Sequence, residues 1–94
     1  MKNVGVIEGI IVYPAELKDG KNGSKWCRFK LRNESTYNDK PIFSEFNITC
    51  FGTNAEIASM SCKVGSLVEV DYHLQQNEKF TNLIADEIRF KDGQ

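Results

Sequence analysis

Ile42-Phe43-Ser44-Glu45-Phe46-Asn47-Ile48-Thr49-Cys50-Phe51, followed by Gly52-Thr53-Asn54-Ala55-Glu56, is the stretch on which the fold turns. Its first part alternates, as a strand does when successive side chains point to opposite faces. Phe46, Ile48 and Cys50 fall on one side, which reads as core; Phe43, Glu45, Asn47, Thr49 and Phe51 fall on the other. The alternation ends at Thr53, whose hydroxyl stands three residues ahead of the Glu56 carboxylate in the pattern of a capping box. The spacing predicts a short helix from Thr53 to about Cys62, with Ala55, Ala58 and Cys62 on one side and Ile57 and Met60 flanking it. Gly65 is its expected stop.

Upstream, residues 25–32 form a second alternating segment. Cys27, Phe29 and Leu31 share one face; Trp26, Arg28, Lys30 and Arg32 share the other. Residues 4–17 read as a long first strand, where Gly9 marks a bulge or bend and Pro14 puts the end at an edge or outside the sheet. The cluster Asp19-Gly20-Lys21-Asn22-Gly23 is a turn, and residues 33–41 read as a polar loop. Downstream, residues 67–75 form a fourth strand with Val68, Val70, Tyr72 and Leu74 on one face. Gln76-Asn77-Glu78-Lys79 makes a hairpin tip, residues 80–90 a fifth strand, and residues 91–94 a short tail. Three strands, one short helix and two strands, with a long bent first strand, are the signature of an all-β OB-fold. This five-stranded Greek-key barrel commonly binds oligonucleotides across its second and third strands.

Ninety-four residues allow one domain, expected over residues 1–90. The formal net charge of −1 argues against a uniformly basic surface of the kind that phosphate binding favours. Its distribution restores the possibility: Lys18, Lys21, Lys25, Arg28, Lys30, Arg32 and Lys40 lie in the first half, and Glu56, Glu69, Asp71, Asp86 and Glu87 in the second. Cys27, Cys50 and Cys62 show no paired metal-ligand spacing and read as reduced core thiols. With no glycine-rich phosphate loop and no nucleophile beside a base, no enzyme and no cofactor or metal are expected. No apolar run has membrane-span length, and the N-terminal residues lack the apolar stretch of a signal peptide, so no membrane partner and a cytoplasmic location are expected.

Several segments, in order, resemble the bacterial and phage-type single-stranded DNA-binding protein (SSB) family. They are Asn3-Val4-Gly5-Val6-Ile7-Glu8-Gly9 with Pro14 beyond, Ser35-Thr36-Tyr37-Asn38-Asp39-Lys40, and Thr49-Cys50-Phe51-Gly52 with Ala55-Glu56-Ile57-Ala58. Lys63-Val64-Gly65-Ser66-Leu67-Val68 and Ala85-Asp86-Glu87-Ile88-Arg89-Phe90 complete the series. The resemblance implies base-stacking roles for Tyr37 and Phe51. It leaves the family's stacking position in the third strand to Glu45, or with a one-residue gap to Phe46, which alternation assigns to the core. The hairpin between the last two strands is shorter than is usual in the family. The acidic, phenylalanine-tipped tail by which members recruit partner proteins is not evident before Gln94, as in a truncated, phage or plasmid form.

Rings beside cations on an open sheet suit a flexible polyanion with flat bases. Taken on its own, the same Trp26, Arg28, Lys30 and Arg32 row reads first as an ordinary wet strand face. With the resemblance added, the expectation is a binder of single-stranded DNA with little sequence preference, protecting it in replication, recombination or repair. Trp26, Tyr37 and Phe51 would stack on bases, Phe43 would add to the binding face by its parity with Phe51, and Arg28, Lys30 and Arg32 would hold phosphates. Lys79 and Phe80 would extend the path along the last hairpin. His73, the only histidine, reads as inert. Exposed strand edges favour a homodimer or homotetramer. The alternatives are a protein-interaction module of replication-accessory, primosome-like type, or an RNA binder.

Overall fold

The computed structural model describes residues 1–91. The strands are β1 (Gly5–Tyr13), β2 (Lys18–Asp19), β3 (Lys25–Tyr37), β4 (Lys40–Phe51), β5 (Leu67–Asn77) and β6 (Phe80–Phe90). One helix, α1 (Gly52–Ser61), stands between β4 and β5. The sheet runs β1-β5-β6-β4-β3-β2, and a further β1–β3 pairing closes the five long strands into a barrel. This is the OB-fold expected from the element order.

Closure depends on β1 serving two neighbours. Residues Gly5 to Ile10 pair with β5, and Ile10 to Tyr13 pair with β3. Gly9 sits at the handover, where any side chain would collide with the Arg32 carbonyl oxygen and the Leu31 side chain. Gly9 therefore permits close backbone approach, while the bulge falls later, between Ile11 and Tyr13. The bulge re-phases the strand, so Tyr13 stands opposite Lys30 and shares its outer face. β1 ends at Tyr13, short of the expected Leu17.

The core is the set of inward alternates: Ile11, Cys27, Phe29, Leu31, Ile48, Cys50, Val68 and Val70 are fully buried or nearly so, and Ala55, Ala58 and Cys62 of the helical segment close one end. The expected capping box does not form. The helix begins one residue after Phe51, with no side-chain cap hydrogen bond. Asn54 instead donates to the Ala85 and Asp86 carbonyls (3.2 and 3.1 Å) and ties the helix start to β6. Cys27, Cys50 and Cys62 are free and buried. The Cys27 thiol donates to the Ala55 carbonyl at 3.6 Å. Its hydrogen bond with Cys50, and burial, push the Cys50 thiol far above the ordinary thiol range. Burial pushes Cys62 up to about 12. The same hydrogen bond with Cys50 draws the Cys27 thiol below its ordinary value; all three side chains are buried and pack as small core residues.

Residues 33–41 are not a loop. β3 and β4 pair without interruption from Trp26↔Phe51 to Tyr37↔Lys40, around a two-residue turn. That turn is Asn38-Asp39, both at positive φ (51° and 62°), the left-handed geometry of tight hairpins. Backbone pairing carries a stretch whose polar composition hides its alternation. The outer ribbon leaves the barrel, and Tyr37, Ile42 and Phe43 are exposed on it. Asn33 fixes its base by donating to the Glu8 carbonyl at 2.9 Å. The tail expected at residues 91–94 lies, apart from Lys91, outside the described residues. No helix among the described residues is long and apolar enough to cross a membrane.

Candidate nucleic-acid interface

The uninterrupted β3–β4 register decides which side chains share a surface. Residues directly opposite in an antiparallel pair point to the same face. Trp26 lies opposite Phe51, Arg28 opposite Thr49, Lys30 opposite Asn47 and Arg32 opposite Glu45. Phe43, opposite Glu34, continues the same face outward. Trp26, Arg28, Lys30, Arg32, Phe43 and Phe51 are thus one contiguous strip, and Phe51 and Phe43 are each more than half exposed.

Within the strip cations sit against rings. Lys18 Nζ and Arg28 Cζ lie 5.7 and 5.8 Å from the Trp26 ring centroid, and Arg32 Cζ lies 5.6 Å from that of Phe43. These separations fall within cation–π range. They place positive charge beside the planes on which a base would stack. Arg28 Nε donates to Thr49 Oγ1 at 3.5 Å, a long bond that leaves most of the guanidinium's donors unused. Among the described residues Lys18, Arg28, Lys30 and Arg32 take part in no ion pair; Lys25 is paired with Asp19.

Two clefts flank Trp26. One, of about 530 Å³, lies between Trp26, Arg28, Thr49 and Phe51 on one wall and Gln75, Gln76, Asn77, Asn82 and Ile84 on the other. The second, of about 320 Å³, is lined by Tyr13, Lys18, Lys30 and Asn47. A third, of about 610 Å³, adjoins the first through Arg28, Asn77 and Asn82 and reaches Phe46 and Phe80. The path expected along the last hairpin is therefore continuous with the strip at Phe80. Lys79 lies in the tip of that hairpin, between Asn77 and Phe80.

Two placements differ from expectation, those of Tyr37 and Phe46. Tyr37 has the parity of Leu31 and Cys27, so it stands on the ribbon face opposite Trp26, at the far tip, and is 67% exposed. Phe46 has core parity but is 37% exposed. β6 pairs with β4 only at Ile48 and Thr49, so the ladder stops short of Phe46, which faces the cleft it shares with Phe80. Glu45 stays on the outer face opposite Arg32. His73, half-buried, meets Asp86 through Nδ1 at 2.9 Å and lies outside the clefts around Trp26. Sequence reading passed over Tyr13, Gln75, Asn77 and Asn82 as site residues and counted Lys18 only among the cations of the first half. Only a bulge or a register brings them to the site, and neither has a composition signal.

A second charged region lies on β5 and β6. Arg89 Nε donates to Glu69 at 2.9 Å, and its two Nη atoms reach Asp71 at 2.8 and 2.6 Å. Glu87 adds a contact at 3.2 Å. The Arg89 guanidinium holds the Asp71 carboxyl below the usual carboxylate range. The charge separation between the halves of the sequence thus becomes a basic strip on β3 and an acidic cluster on β5 and β6.

A barrel closed by five long strands, with one helix between the third and fourth of them, is of the OB class. The sequence matches the Single-strand binding protein family over residues 2–89, and the chain belongs to that family. Among solved structures it is similar to the SSB domain of a Synechococcus protein, with a TM-score of 0.81 at 16% identity, covering 95% of this chain and 96% of that one. No curated protein matches the sequence.

Proposed function

We propose that this protein binds single-stranded DNA with little sequence preference and protects it during replication, recombination or repair. The observation that carries the reading is the strip from Trp26 and Phe51, through Arg28, Lys30 and Arg32, to Phe43, in a chain of the single-strand binding protein family. Rings accept any base, because every base has a face to stack, and cations accept any phosphate. Phe80 and Lys79 extend the path along the β5–β6 hairpin, and Tyr37 touches a strand that passes over the ribbon tip. The single barrel of residues 1–90 binds without a cofactor or a catalytic step, in the cytoplasm. It works as a homodimer or homotetramer, in which copies cover the strand edges left open by the short β4–β6 pairing.

Anisotropy titrations with oligo-dT, oligo-U and duplex DNA at two salt concentrations test this. Oligo-dT should bind most tightly and quench Trp26 fluorescence. Its affinity should fall with salt by a log–log slope of about −0.7 per phosphate contact. Equal binding of oligo-U would favour an RNA or dual role. Flat titrations with all three would overturn the reading and favour a protein partner.

A further inference from the structure

The wall that faces the rings across the first cleft carries amides and no cation. Gln75 and Asn82 are register partners on β5 and β6, and Asn77 lies one step along on the same face. All three line the cleft that holds Trp26, Phe51 and Arg28. Among the described residues, no intramolecular side-chain hydrogen bond engages these three amides. A phosphate oxygen only accepts hydrogen bonds, and its natural partner here is Arg28 on the opposite wall. The edge of a base offers donors and acceptors together, and so does an amide. An amide can also turn over and exchange its oxygen with its NH2 group. It then matches the edge of any base.

We infer that Gln75, Asn77 and Asn82 hydrogen-bond the edge of whichever base stacks at Trp26 and Phe51: the site requires an edge without choosing among the bases. The inference rests on the proposed single-strand binding. It gives a chain of net charge −1 a share of affinity that salt does not screen as it screens phosphate contacts.

The test compares oligo-dT with a strand of equal length whose thymines are replaced by difluorotoluene, a shape mimic that stacks but makes no edge hydrogen bonds. Both are titrated against the parent chain and the triple variant Gln75→Ala, Asn77→Ala, Asn82→Ala. The parent should bind the mimic at least about fivefold more weakly, the worth of one net hydrogen bond. The variant should keep less than half of that discrimination. A parent that discriminates less, or a variant that keeps more, overturns the inference. Circular dichroism of the variant checks the barrel, and the parent's own comparison stands if the variant fails to fold. Failure of the parent to bind either strand would overturn the proposed function instead.

Discussion

Arg28 and Arg89 are the same residue on different parts of one barrel wall, and their surroundings are opposite. Arg89 is held by Glu69, Asp71 and Glu87, so its charge is neutralised within the fold. Arg28 has one long bond to Thr49 and the face of Trp26, and among the described residues it pairs with no carboxylate. The first arrangement fixes β5 to β6; the second leaves a cation and its donors facing an open cleft. Net charge cannot tell them apart. What matters for a polyanion is which cations lack internal partners, and of these Lys18, Arg28 and Arg32 lie against the Trp26 and Phe43 rings.

The strongest challenge to this contrast removes a ring from the basic side. Phe51 is 52% exposed and lies opposite Trp26, outside the core. Phe51→Ala should weaken oligo-dT binding by roughly 1–3 kcal/mol, the worth of one base stack. Thermal melting should barely change. A melting temperature that falls while binding holds would make Phe51 a packing residue and remove it from the interface.

The arginines themselves give the next largest effect, and a double dissociation. Arg28→Gln should weaken binding at low salt and make the log–log salt slope shallower by about 0.7, with little change in melting. Arg89→Gln should do the reverse: unchanged DNA binding, and a lower melting temperature from three carboxylates left without their cation. The pH dependence sharpens the pair. Asp71 has its carboxyl pKa lowered in the fold, chiefly by the hydrogen bonds from Arg89. Its contribution is therefore present above the unfolded value of about 3.9 and is lost as pH falls from there through the lower folded value. Acid melting curves should show this loss in the parent and lack it in Arg89→Gln. An Arg89→Gln protein with the parent's acid profile would sink the assignment.

Alternation made the barrel legible. Residues 25–32 announce the inner Cys27, Phe29 and Leu31 and the outer Trp26, Arg28, Lys30 and Arg32, and β6 runs over the residues expected for it. What stayed hidden was set by pairing and not by side-chain pattern. The polar stretch 33–41 is strand because β3 and β4 supply each other's backbone partners around Asn38-Asp39. Tyr13 joins the outer face only because the bulge in β1 shifts its phase. Gln75 and Asn82 read as ordinary strand residues and Asn77 as hairpin tip until the β5–β6 register aims them at Trp26 and Phe51. Thr53 and Glu56 carry a capping motif that the chain leaves unused, because the helix is already under way from Gly52. Phe46 follows the core alternation, yet the barrel wall beyond the short β4–β6 contact leaves it part-exposed.

Tyr37 gives the smallest expected effect and the finest test of the strip's extent. Family resemblance names it as a stacker, whereas the unbroken register puts it on the reverse face of the ribbon tip. A strand following Trp26, Arg28, Lys30 and Phe43 stays on the front face and reaches Tyr37 only by passing over the turn at Asn38-Asp39. Short strands should therefore be indifferent to Tyr37→Ala, while strands long enough to cross the tip should lose a few-fold in affinity, toward the low end of one base stack. A titration series of oligo-dT lengths with parent and variant separates the two. Equal loss at every length would mean that the front strip alone is not the path and that a bound strand engages both faces of the ribbon from the start.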